Sequence, residues 1–223
     1  MSSGGIWPVG VREPDSVPPG SYVGPMWCSA CGTAARESLC NPCRRSCVPA
    51  SDRIVGDVVV RAPYLHEGAA RQLVLHIKYG GSPRALSVLA DAIAAIVDPA
   101  TTALVPVPRT WVRRWRYGID PAKALAREVS RRTGIPVVPA LRAPVGGRAN
   151  AGAPRAQRRP PGFTARGRVG DGAVLVDDVV TTGRTINAAA GALGGAVGSA
   201  LSATSVRGVT SLLRTADPGG TWT

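Results

Sequence analysis

The stretch VLVDDVVTTGRTI, residues 174–186, decides the fold. Val174, Leu175 and Val176 form an unbroken apolar run. That pattern belongs to a strand buried on both faces, and so to a parallel sheet covered by helices. Asp177 and Asp178 follow at the carboxyl end of the run. Two neighbouring carboxylates repel each other and lose hydration together unless a hydroxyl or a cation meets them. A ribose diol or Mg²⁺ would be such a partner. Thr181, Thr182 and Gly183 come next, then Arg184 and Thr185 at the expected start of a helix. Small hydroxyl residues and a glycine gather backbone N–H groups and Oγ atoms around one point, and the helix N-terminus adds ~0.3–1 kcal/mol for an anion. Acids for sugar hydroxyls followed by a cup for phosphate describe a ribose-5-phosphate site. A simple strand-to-helix turn with a capping acid is the competing reading. It explains one acid, but not two acids followed by two threonines and a glycine.

Outward from this segment, strands and helices alternate. IVGDVVVRAPYL (54–65) reads as a strand or hairpin, and GAARQLVLHIKYGG (68–81) as a helix stopped by Gly80 and Gly81. SPRALSVLADAIAAIV (82–97) opens on Ser then Pro and repeats apolar residues every three or four positions, as a helix does. TALVPVP (102–108) and IPVVPAL (135–141) read as short strands on either side of an amphipathic helix, PAKALAREVSRRTG (121–134). Residues 142–170 read as an Arg-, Gly- and Pro-rich loop. TINAAAGAL (185–193) is a helix and ALSATSVRGV (200–209) a last strand. The expected fold is α/β, a doubly wound, mainly parallel sheet over 51–210 with its site at the carboxyl ends of the strands. Residues 1–25, with little periodicity, read as a disordered arm, and 211–223 as a C-terminal tail.

Residues 26–50 form a separate head. Cys28-x2-Cys31 and Cys40-x2-Cys43 are two knuckles, each able to present two thiolates to one tetrahedral Zn²⁺ at ~2.3 Å. A segment this short cannot fold on apolar burial alone, so a structural metal would supply most of its stability. A redox dithiol pair is the alternative. Cys47 is left over, and no role follows for it.

The 223 residues carry a formal charge of +13, and 44% of them are hydrophobic but only 4% aromatic, so Val, Ala and Leu must build the core. Fifteen Lys and Arg against Asp120 and Glu128 in residues 107–168 account for the whole excess. Localised positive charge attracts phosphates, diphosphate or nucleic acid; a solvated arginine-rich surface is the plainer reading. Few aromatics interleave there for stacking on bases, which argues against strong single-strand binding. No run approaches the ~18 apolar residues of a membrane span, and MSSGGIWPVG lacks the basic-then-apolar order of a signal peptide. The expectation is a soluble, cytoplasmic protein with no membrane insertion.

VLVDDVVTTGRTI also resembles the 5-phosphoribosyl-1-diphosphate (PRPP) signature of type I phosphoribosyltransferases. Together with the four-cysteine head, HIKYGG and VPVPRTWVRRWRYGID, it resembles the ComF family, the competence-associated, amidophosphoribosyltransferase-like branch of that superfamily. The resemblance runs from about Trp27 to Val209 and implies a transferase of the glycosyltransferase class acting on Mg²⁺-bound PRPP. It implies that Asp177 and Asp178 hold the ribose 2′ and 3′ hydroxyls and that Thr181, Thr182, Gly183 and Thr185 form the 5′-phosphate cup. Lys78, Tyr79 and Gly80 match the short loop that contacts diphosphate, and Arg113, Arg114 and Arg116 fall in the mobile loop that closes over it. The family usually has Arg-Gly-Phe-Asn where this chain has Tyr117-Gly118-Ile119-Asp120. The resemblance also implies a role in DNA uptake or processing, with single-stranded DNA or a helicase-like protein as partner. No acceptor is named by any residue.

Overall fold

The computed structural model describes residues 26–109, 120–143 and 162–207. The expected arm at 1–25, the arginines at 113, 114 and 116, and the tail at 211–223 lie outside these residues.

The chain is α/β around a mostly parallel sheet. β3 (Arg53–Val55) and β4 (Val58–Arg61) form an antiparallel hairpin. Gly56 takes φ +60 in the two-residue turn between them, where side chains are strained. β4, β10 (Ser199–Ser205), β9 (Ala173–Val180) and β6 (Ala103–Pro106) then follow, all parallel, in the order β3-β4-β10-β9-β6. β5 (Tyr64–Leu65) pairs farther along β10, on the same side as β4. Ala173 to Val176 are all buried, with Val174 and Val176 facing one core and Ala173 and Leu175 the other. The unbroken apolar run in the sequence has this cause: the strand has no wet face.

Among the described residues, three helices cover the first face: α2 (Gly68–Gly80), α3 (Pro83–Ala94) and α4 (Pro121–Thr133), with Leu73, Leu89, Ile93 and Leu125 fully buried. Ser82 caps α3 by accepting from the Ala85 N–H at 3.3 Å, and Asp120 caps α4 by accepting from Lys123 N–H at 3.2 Å. α5 (Arg184–Ala192) covers the second face through Ile186 and Ala189.

The strand expected over 135–141 does not form. Pro136 and Pro139 carry no N–H to donate, so the ladder shrinks to one bridge: Leu104 N–H donates to Pro136 O and Val138 N–H to Leu104 O, both at 2.9 Å. Pairing resumes only at β7 (Leu141–Arg142), which meets β8 (Thr164–Ala165) in a segment read as loop.

The head is a small hairpin, β1 (Met26–Trp27) with β2 (Ala34–Ala35), followed by the short helix α1 (Asn41–Arg45). It is docked on α2. Cys28, Ala30 and Leu39 join the core beneath that helix, His76 bonds the Ser29 carbonyl at 2.8 Å, and Ser46 Oγ accepts from Ala69 N–H at 3.1 Å.

Candidate functional site

Asp177 and Asp178 lie in the second half of β9, Val179 and Val180 complete the strand, and the turn to α5 carries Thr181, Thr182 and Gly183. Gly183 has φ +75, and a Cβ there would stand 2.2 Å from Val55 Cγ1. Only glycine fits this position, both for its left-handed backbone and because the β3–β4 hairpin presses on it. Asp177 and residues 179–186 line a concavity of about 190 Å³, counting space open to solvent. Thr181, Thr182, Gly183 and Thr185 are therefore together around one cup, as their spacing requires.

The two acids are not equivalent. Asp178 Oδ2 lies 3.0 Å from Lys78 Nζ and 3.0 Å from an Arg109 guanidinium nitrogen. These side chains are only 13%, 19% and 17% exposed, so the pairs are sheltered from solvent screening. Burial works against the Asp178 charge, but Lys78 and Arg109 prevail and hold its carboxyl below the usual carboxylate range. Asp177 accepts from the Asp178 N–H at 2.8 Å. Burial, then the Asp178 charge, push it well above that range. The two carboxyls are thus driven apart, Asp177 toward its protonated form and Asp178 toward its charged form, and Lys78 and Arg109 answer the Asp178 charge.

Lys78, Tyr79 and Gly80 sit in the last turn of α2 rather than in a loop; Gly81, at φ 58, is the residue that stops the helix. Lys78 points to the acids, whereas Tyr79 is 65% exposed.

Three further residues stand at this edge of the sheet. Arg109 follows β6, the parallel neighbour of β9, so the rule that parallel strands present ligands at their carboxyl ends could have found it. His66 follows β5, and its Nδ1 bonds Thr204 Oγ1 at 2.9 Å. Burial first, then the nearby Lys78 and Arg71 charges, lower its pKa and favour the neutral ring. Arg53, in β3, donates to the Thr181 carbonyl at 2.9 Å. Neither of the last two has a local sequence signal.

The second candidate centre is the head. The Sγ atoms of Cys28, Cys31, Cys40 and Cys43 all lie within 4.8 Å of one another. Cys31 and Cys40 are 3.7 Å apart, against about 3.8 Å for the edge of a tetrahedron with Zn–S bonds of about 2.3 Å. Gly32, at φ +73, makes the bend that lets its N–H donate to Cys28 O at 2.9 Å. Burial opposes a Cys28 thiolate, yet N–H groups of Cys31, Cys40 and Ala30 outweigh it and bring the pKa to about 6. Cys43 moves the other way, raised by burial and by the neighbouring cysteines. These four cysteines could hold a structural zinc. Cys47 lies half-buried beside them, its thiol pushed up by burial.

Among the described residues, no helix is long and apolar enough to cross a membrane. No protein-family model matches the chain, and no curated protein matches it.

Proposed function

We propose that the chain binds PRPP and transfers its 5-phosphoribosyl group to a nitrogen acceptor, releasing diphosphate, on a sheet of the type I phosphoribosyltransferase kind. The observation that carries this reading is the order of groups along one strand end: an acid pair balanced by Lys78 and Arg109, then the Thr181–Thr185 cup at the start of a nine-residue helix. The cup takes the 5′-phosphate, and Asp177 and Asp178 take the ribose hydroxyls. Lys78 and Arg109, which face Asp178 in the free protein, then stand beside the leaving diphosphate. As the C1′–O bond breaks ahead of attack, negative charge grows on that group and cations already in place stabilise it. Asp178 is engaged by two cations and Asp177 is held toward its protonated form. Mg²⁺ would therefore enter with PRPP rather than on the acids alone, and would supply charge neutralisation on the substrate.

Calorimetry with PRPP, with and without Mg²⁺, tests binding; diphosphate release across a panel of nucleobases and amines tests transfer. Asp177→Asn with Asp178→Asn removes both carboxyl acceptors and should weaken PRPP by at least ~1.5–3 kcal/mol, the scale of one hydrogen bond to a charged group. An unchanged affinity would remove the site.

The charge concentrated in 107–168 favours a second reading, a non-catalytic PRPP or nucleotide-binding accessory to DNA uptake or processing. Replacing Arg113, Arg114 and Arg116 by Gln separates the two. Transfer predicts a turnover loss exceeding the binding loss. A DNA role predicts weaker single-strand binding, with the salt slope reduced by up to ~0.7 per phosphate contact.

A further inference from the structure

We infer that Arg53 is a positioning residue for the phosphate cup, acting through the peptide that joins Thr181 to Thr182. This inference rests on the phosphoribosyl reading above and names the device that aims one of its donors.

One nitrogen of the Arg53 guanidinium donates to the Thr181 carbonyl at 2.9 Å, the Val206 carbonyl at 2.9 Å and Ser205 Oγ at 3.2 Å. Among the described residues its partners are carbonyls and a hydroxyl rather than carboxylates, so this half-buried guanidinium serves to hold backbone. The three acceptors are the first residue of the cup and the end of β10. The Thr181 C=O and the Thr182 N–H belong to one planar peptide unit, and no cis bond occurs among the described residues. In a trans peptide these two groups point in opposite directions. Holding the carbonyl against Arg53 therefore turns the Thr182 N–H away from the hairpin, toward the space the cup residues line. A peptide free to flip would present its carbonyl to the anion for part of the time and repel it.

The same hairpin braces the cup at two more points. Val55 fills the place that a side chain at Gly183 would take, and Gly56 lies so close to Asn187 of α5 that a Cβ would meet its Oδ1 at 2.4 Å. Arg53, Val55 and Gly56 thus fix the cup's first peptide, its glycine and the first turn of its helix in sequence. The +1 charge of Arg53 beside the cup has the sign that favours an anion.

The test uses the full chain, ¹⁵N-labelled, with ribose 5-phosphate as the phosphate-bearing probe and inorganic diphosphate as the probe of the Lys78–Arg109 side. In the wild type, ribose 5-phosphate should bind and move the Thr182 amide proton downfield. Arg53→Met keeps the aliphatic stem and removes the donors. It should lower ribose 5-phosphate affinity about tenfold, the scale of one hydrogen bond to a charged group, abolish the Thr182 shift and leave diphosphate affinity unchanged. Arg53→Lys, which keeps the charge but not the planar fork, should fall between; it carries the test if the Met variant does not fold. Equal losses for both probes would mark Arg53 as merely structural and overturn the inference. So would folded variants that bind ribose 5-phosphate normally, or a wild type that binds it with the Thr182 amide unmoved. A wild type that binds neither ribose 5-phosphate nor PRPP would instead overturn the phosphoribosyl reading itself.

Discussion

The cysteine head and the acid–threonine site both crowd groups of like charge, and they resolve the crowding in opposite ways. At the site, the chain supplies its own cations: Lys78 and Arg109 each reach Asp178 at 3.0 Å. In the head, backbone N–H groups favour one thiolate, Cys28, while burial and the other cysteines hold Cys43 in its thiol form. Amides can stabilise one negative charge there; they cannot neutralise four. Four thiolates there would need an external dication, and the cysteines are close enough to hold one. At the site the Asp178 charge is already paired within the free protein, so any ligand that took Lys78 or Arg109 would replace a pairing that exists.

Metal loss should give the largest effect that tests this contrast. Structural zinc sites contribute about 10–16 kcal/mol of apparent binding energy at neutral pH. The purified, reduced protein should hold about one zinc per chain, and Cys28→Ser or Cys40→Ser should lose it and unfold the head while the sheet persists. Metal analysis that found no zinc would place the head in the same self-sufficient class as the site.

Asp178→Asn comes next. It leaves Lys78 and Arg109 facing a neutral amide in a sheltered position and should cost the free protein about 2–3 kcal/mol. Chemical denaturation measures it, and a cost near zero would mean the site is not internally balanced.

Gly183→Ala should cost about 1–2 kcal/mol for its left-handed backbone, with a further penalty from contact with Val55. Adding Val55→Ala should recover the second part only. Full recovery would show that the hairpin alone, and not backbone strain, selects glycine.

The smallest effect has the opposite sign. Asp177 has a folded pKa raised above its unfolded value, chiefly by burial. The stability linked to its protonation is complete below the unfolded value, near 4, and is lost as pH rises toward the folded value. Asp178 behaves conversely: its contribution is present above the unfolded value and is lost on acidification. Asp177→Asn should therefore stabilise the free protein, with an advantage over wild type that grows from about pH 4 upward. It should still weaken PRPP. A variant less stable than wild type at neutral pH would show that the Asp177 charge is answered by a partner other than Asp178 N–H.

These regions also differ in how much of them could be read from sequence. The cysteine spacing foretold the cluster of four thiols, and Val174 to Thr185 foretold strand, acids, turn and helix, because in both cases a few consecutive residues with fixed backbone geometry do the work. The strand or hairpin read over 54–65, the helix ends near Gly81 and Gly134, and the Ser-Pro start at Ser82 were legible for the same reason. The strand expected at 135–141 failed although its apolar pattern was right, since prolines at 136 and 139 remove the donors a ladder needs.

The chain's consecutive residues thus determined that two acids precede a turn of threonines and glycine toward a strand's carboxyl end, and that four thiols lie within reach of one ion. Only the tertiary structure decided that Asp178 is the acid that keeps its charge, because Arg109, 69 residues away, and Lys78, on a separate helix, converge on it. It also decided that Arg53, 128 residues from Thr181, holds the cup's first peptide. The physical reason is the crossover that parallel strands require. It carries the chain over a helix before each new strand, so neighbours at the carboxyl edge are remote in sequence, and an ion pair depends on distance in space alone.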